Sequence, residues 1–184
     1  MIKPLTKEDI LDAAREKIYI QDYSKQEKIE GVNVIELPMN IGEEGYFVEL
    51  IKLDHNGCLT TFPNFKLAQV NRVKMYPGTI KAWHLHFKQD EIWCVTATSH
   101  LLVGLWDLRK NSTTSGTSTR MVLGEGRTRL LYIPAGVAHG SSVVSGERAE
   151  MLYFVNQTFN MDQPDEHRIS WDSLGKYFWN PQRD

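Results

Sequence analysis

The chain has little that would cross-link it or take it into a membrane. It carries two cysteines, Cys58 and Cys94, in 184 residues and no Cys-x-x-Cys. Neither a disulfide framework nor a cysteine-based zinc site can be built from that. Both read as free thiols of a reducing compartment, and residues 1–9 are too charged for a secretory leader, so a cytoplasmic protein is expected. No apolar run approaches the ~20 residues a membrane-spanning helix needs. Charge of one sign is scarce as well. There are 21 Lys and Arg against 23 Asp and Glu, a formal net charge of −2, with both signs mixed along the chain. That argues against nucleic acid or an anionic membrane as the main partner and leaves a small molecule. Internal repeats are absent too.

What is present is a 41% hydrophobic chain, long enough for one domain with its own core. Residues 1–30 read as a helical extension. Thr6 can cap a helix with Asp9 answering the cap, and Ile10, Leu11, Ala14 and Ile18 recur at helical spacing. From residue 31 to 184 the pattern changes to short strands separated by turns. Candidate strands lie at 46–53, 66–74, 79–86, 92–97, 101–108, 120–123, 129–133 and 150–156, beside an alternating Val32 and Val34. Many short strands with regular turn signals predict an all-β sandwich or jelly roll behind one N-terminal α-helix. Residues 111–119, rich in Ser and Thr, read as an exposed loop within that single domain.

Four residues carry chemistry. His84 and His86 sit two apart on a predicted strand, Glu91 follows after a short turn, and His139 closes the stretch Pro134-Ala135-Gly136-Val137-Ala138-His139. Residues two apart on a strand share a face, so Ile80, Ala82, His84 and His86 are expected together, and Glu91 with Trp93. Any one of these histidines alone reads as a core or surface residue. Three imidazoles and one carboxylate in this order form the two-part signature of the cupin double-stranded β-helix. They are also a ligand set for a divalent transition metal (Mn, Fe, Co, Ni, Cu or Zn). The expected metal ligands are His84, His86, Glu91 and His139.

A wider resemblance covers residues 31 to about 181. The stretches GVNVIELP (31–38), GYFVE (45–49), LAQVN (67–71), GTIKAWHLH (78–86), WDLRKNSTTSG (106–116), LLYIPAGVAHG (130–140), AEMLYF (149–154) and RISWD (168–172) occur in order. In these the chain resembles the dTDP-4-dehydrorhamnose 3,5-epimerase family. The resemblance implies a cupin barrel, a homodimer and a nucleotide-linked 4-keto-6-deoxy sugar as substrate. It implies proton removal and return beside a ketone, without a metal. By position, His84 matches the family's histidine base and Tyr153 its tyrosine acid. His139, Gln69 and Asn71 match pocket residues, and Lys81 stands where the family has an arginine. Trp93 is the tryptophan expected to face the sugar.

The departures from the family share a direction. Glu44 replaces an arginine, Glu91 a pocket lysine, His86 a glutamine and Phe159 a second tyrosine, and the late aspartate that orients the base has no counterpart in the string. Carboxylates in place of cations repel a diphosphate unless a metal intervenes. A histidine holding a metal through its lone pair cannot also take a proton. Three readings follow: a sugar epimerase, possible with metal assistance; a metal-dependent cupin of another class, such as an oxygenase or lyase; and a sugar- or metabolite-binding cupin without catalysis. The first is the expected function.

Overall fold

The structure is a computed structural model, and it describes residues 4–20, 28–144 and 146–181. Its first strands are β1 (Asn33–Glu36), β2 (Asn40–Gly42), β3 (Gly45–Phe47), β4 (Cys58–Leu59) and β5 (Phe62–Lys66). The middle of the chain forms β6 (Gln69–Met75), β7 (Ile80–Leu85), β8 (Glu91–Val95), β9 (His100–Asp107) and β10 (Ser118–Gly124). The last are β11 (Arg129–Ile133), β12 (Val137–Ser142), β13 (Ala149–Val155) and β14 (His167–Arg168). Ten of them make two five-stranded sheets, in the orders β1-β11-β8-β13-β6 and β10-β9-β12-β7-β14. All pairings within them are antiparallel. This is the all-β jelly roll that the strand pattern predicts.

Burial explains why the central strands do not alternate. Every residue of β8 and β12 is buried, because both faces of each sheet are covered. Trp93, Val95, Leu101, Val103, Leu105, Leu131, Ile133 and Met151 pack between the sheets. Ile92, Cys94, Leu130 and Phe154 point out of the first sheet and are covered by Leu59, Phe65 and their neighbours. Trp83, Leu85, Leu102 and Ala138 point out of the second sheet and are covered by the tail through Trp179. Each such face removes enough apolar area from water to contribute about 1.5–3 kcal/mol per large side chain. Trp83 and Trp106 are therefore packing residues. Trp179 covers the outside of this second sheet, 4.9 Å from Trp83 between ring centroids.

Three local readings need correction. The N-terminal helix forms only as two single turns, Lys7–Asp9 and Asp12–Arg15, with extended backbone at Ile10 between them. The Thr6–Asp9 capping box is present, but neither turn buries a residue, so nothing drives the second past one turn. The turn after His86 does not return the chain along β7. It carries it across to the other sheet, where β8 pairs with β11 and β13. Lastly, the face shared along β7 changes midway. His84 pairs with His139, yet Lys81 pairs with Ser141. Three residues on β7 span two on β12, a bulge that flips the side-chain parity. Gly140 sits opposite it, where an added Cβ would come within 2.4 Å of the Ala82 Cβ. The bulge turns Lys81 towards the same cavity as His84 and His86, in place of Ile80 and Ala82.

Candidate active site

At one end of the sandwich the sheets part around a cavity of about 730 Å³. One wall comes from β6, β8 and β13 and carries Gln69, Asn71, Glu91, Trp93 and Tyr153. The other comes from β7, the residue that follows it and β14, and carries Lys81, His84, His86 and Arg168. Cross-strand pairing puts Tyr153 beside both Asn71 and Trp93. Gln69 donates to Asn71 Oδ1 at 2.7 Å and accepts from the Phe159 backbone N–H at 3.1 Å, which ties the loop after β13 to the cavity edge. All the pocket residues expected from the sequence thus meet here except His139. It is buried behind His84 and His86, its ring centroid 5.9 and 5.3 Å from theirs.

The orientation of His84 depends on a residue that reading along the chain missed. Its Nδ1 lies 2.9 Å from Glu166 Oε1, and its Nε2 lies 2.5 Å from an Arg168 guanidinium nitrogen. Arg168 also pairs with Glu166 at 2.8 Å. The cause is topological. The short strand β14 adds to the edge of β7 with Arg168 opposite His84. Glu166, two residues earlier, lies on the same side. A donated Nδ1–H puts the lone pair on Nε2, where it faces the Arg168 guanidinium. The His84 N–H holds the Glu166 carboxyl below its ordinary value of 4.5, against partial burial. The only sequence signal was the spacing of Glu166 and Arg168, just ahead of and within the RISWD stretch. Glu91 and Asp107, two carboxylates nearer to His84 along the chain, are engaged elsewhere. Asp107 is buried under Arg109, Ser112 and Thr114 and closes the turn after β9.

Glu91 is the centre of a second, buried cluster. It accepts from the Trp93 indole N–H at 2.6 Å and from Gln89 at 2.9 Å. His86 Nε2 is 3.1 Å away and His139 Nε2 3.4 Å. Burial would raise its pKa, but the facing His139 and His86 rings and the indole outweigh that and hold it at about 2. Burial also disfavours the charged form of His86. The hydrogen bond and charge of Glu91, with the Asp165 carbonyl on Nδ1, still raise it above 6.5. His139 goes the other way. Its burial, with His86 and His84 nearby, lowers it to about 4, so it is neutral at pH 7 and donates Nδ1–H to the Val137 carbonyl at 3.0 Å. Tyr153 is raised by burial and by the charges of Glu91 and Glu166. It therefore keeps its proton at neutral pH, as an acid must.

These distances test the expected metal set. Ligand atoms of His86, Glu91 and His139 lie within 4.8 Å of one another. His84 is not among them, because both its nitrogens face Glu166 and Arg168. Both Glu91 oxygens already accept hydrogen bonds from the protein.

The family model described as dTDP-4-dehydrorhamnose 3,5-epimerase matches residues 26–178. The spore coat polysaccharide biosynthesis protein SpsL of Bacillus subtilis is 41% identical over 84% of this chain and 98% of its own length. The probable low-salt glycan biosynthesis epimerase Agl13 of Haloferax volcanii is 27% identical over 84% of this chain and 96% of its own. Among solved structures, the Legionella pneumophila epimerase RmlC, in complex with dTDP-4-keto-L-rhamnose, superposes with a TM-score of 0.68. It is 22% identical, over 84% of this chain and 81% of that one.

These findings overturn the divalent metal expected from sequence, since epimerases of this kind act without a metal cofactor. The physical reason is in the donor set: Glu91 replaces the family's lysine but spends its charge on Trp93, Gln89 and His86 within the wall. With 84% of its length aligned to a relative at 41% identity and its fold shared, the chain belongs to the dTDP-4-dehydrorhamnose 3,5-epimerase family of sugar epimerases.

Proposed function

We infer that the protein inverts a carbon beside the ketone of a dTDP-linked 4-keto-6-deoxy sugar, with His84 as base and Tyr153 as acid. One observation carries the reading: His84 and Tyr153 reach a single cavity from facing sheets. A sugar ring between them presents one face to each. His84 Nε2 takes the proton on carbon next to the ketone, and the electron pair moves into the carbonyl to give an enolate. Glu166, on Nδ1, stabilises the imidazolium that forms. The Tyr153 hydroxyl then delivers a proton to the same carbon from the other face, which inverts it. General acid–base steps of this kind contribute about 10²–10⁴-fold each. The nucleotide is supported by the ligand of the Legionella enzyme, and Lys81 and Lys88 at the cavity edge are cations for its phosphates. Trp93 packs beneath the sugar site with its N–H held by Glu91. Gln69 and Asn71 offer polar groups to the sugar, and His139 supports His84 from behind.

The test is incubation with dTDP-4-keto-6-deoxyglucose in D₂O. Deuterium should enter at carbons flanking the ketone, and His84→Asn should abolish it. No exchange with the wild-type protein would sink the reading.

Two further parts belong to the same inference. The β2–β3 hairpin exposes Ile41, Tyr46 and Phe47, the first at 80%, which supports a homodimer in which this arm packs on a second copy. Light scattering should give twice the chain mass, and Tyr46→Glu with Phe47→Glu should halve it. The free thiols of Cys58 and Cys94 support a cytoplasmic location. Among the described residues no helix is long and apolar enough to cross a membrane.

A further inference from the structure

An enolate needs a positive group or strong hydrogen-bond donors at its oxygen, and such electrostatic groups are among the largest contributions to rate. The position where the family carries a pocket lysine is Glu91 here, an acceptor committed to its own wall. The positive group must come from elsewhere on the chain. Among the described residues, Lys81, Lys88 and Arg168 are the lysines and arginines lining the cavity. Of these, Arg168 is the one in contact with the base.

We propose that Arg168 is the enolate-stabilising residue of this enzyme, and that the same guanidinium caps the His84 lone pair until substrate displaces it. The proposal rests on the epimerase reading above and names a catalytic residue within that site. Three features of β14 carry it. Arg168 pairs across from His84, so its side chain leaves the sheet beside the imidazole. One guanidinium nitrogen sits 2.5 Å from Nε2, the position a substrate C–H must take. A second nitrogen is tethered to Glu166 at 2.8 Å, while 55% of the side chain remains exposed. It can therefore turn without leaving the site.

The geometry of the reaction does the rest. The carbonyl oxygen is two bonds from the carbon that loses its proton. When the C–H occupies Nε2, that oxygen falls in the space next to it, where the displaced guanidinium lies. The N–H that donated to the lone pair then donates to the oxygen, and its charge meets the negative charge that develops there. Planar guanidinium with several donors can hold Glu166 and the oxygen at once, which an ammonium group does less well. The free enzyme thus keeps its base hydrogen-bonded, and proton removal occurs with the oxyanion donor already in place.

The experiment measures deuterium entry into dTDP-4-keto-6-deoxyglucose in D₂O for the full-length protein and its variants. Arg168→Gln should lower kcat for exchange about 10²–10³-fold, as loss of an oxyanion donor does, with KM changed only a few-fold. Arg168→Lys should recover part of the loss. Added guanidinium should restore exchange in Arg168→Gly and leave wild type unaffected, an outcome a purely structural role would not give. Circular dichroism and thermal melting of each variant show whether it is folded. If folded Arg168→Gln exchanges within threefold of wild type while His84→Asn is dead, the Arg168 assignment is overturned and the epimerase reading stands. Failure of guanidinium to rescue a folded Arg168→Gly also overturns it. No exchange by wild type overturns both.

Discussion

The wall that carries Tyr153 comes from three neighbouring strands, β6, β8 and β13, whereas the wall that carries His84 draws its working groups from β7 and from the short edge strand β14. The two walls also hold their carboxylates differently. Glu91 is 6% exposed in its side chain and accepts from Trp93 and Gln89. Glu166 is 35% exposed and pairs with His84 and Arg168 at the cavity surface. A carboxylate buried in a central strand must be satisfied by its neighbours, or its desolvation would go uncompensated. That requirement makes Glu91 a fixture. An edge strand leaves Glu166 and Arg168 water on one side and freedom to exchange partners. Central strands supply rigidity and edge strands supply adjustable charge.

Each wall can be perturbed separately. The largest effect should come from the packing behind the His84 wall. Trp83 is fully buried against Trp106, Phe178 and Trp179, so Trp83→Ala should cost about 3–5 kcal/mol, read by denaturant unfolding. Next comes one group on each wall, Glu166 beside His84 and Tyr153 opposite it. Glu166→Gln should reduce deuterium entry about 10²-fold, near 2.7 kcal/mol in the barrier, because His84 loses its orienting charge. Tyr153→Phe should separate the steps. Exchange from the His84 side continues while the inverted sugar, seen by NMR, falls by about 10² or more. If Tyr153→Phe stops exchange and inversion equally, the walls do not divide the chemistry this way.

A smaller effect is the pH dependence of stability. His139 has a folded pKa of about 4 against an ordinary 6.5. Between those values the unfolded chain binds a proton that the folded chain refuses, so stability falls as the pH falls from 6.5 to 4. Glu91, at about 2 against 4.5, extends the loss below pH 4.5. Urea midpoints should decline from pH 5.5 to 4.5, below the range in which His86, raised above 6.5, pulls the other way, and His139→Gln should flatten that slope. The smallest effect should be at Asp165. Its carboxylate accepts from the backbone N–H groups of Phe87, Lys88 and Gln89 at 2.9, 2.8 and 3.0 Å. Asp165→Asn should speed hydrogen exchange at those amides while changing global stability by about 1 kcal/mol, the size of a partly solvated hydrogen-bond loss.

Much of the architecture was readable because strand parity is local. The alternation around β1, β9, β11 and β13 marked strands close to their observed bounds. The family-like stretches point His84, Tyr153, Gln69 and Asn71 to one pocket, and all four line it. Short pieces such as β4 and β14 carried too few residues to show a period, and the N-terminal helix lacked a surface to pack on. The bulge on β7 has no sequence marker beyond Gly140, so Lys81 was placed in the pocket by family position and not by parity.

What the amino-acid order determined by itself was the longer strands and the all-β class, since side-chain alternation and turn chemistry act over a few residues, while the base and acid candidates came from the family resemblance. The tertiary structure alone decided which carboxylate meets His84. Glu91, seven residues from His84, is turned inward by a central strand of the opposite sheet. Glu166, eighty-two positions away, arrives because β14 satisfies the free edge of β7. Edge pairing is settled by backbone hydrogen bonds and burial across the whole sandwich, and no local window of residues contains that information.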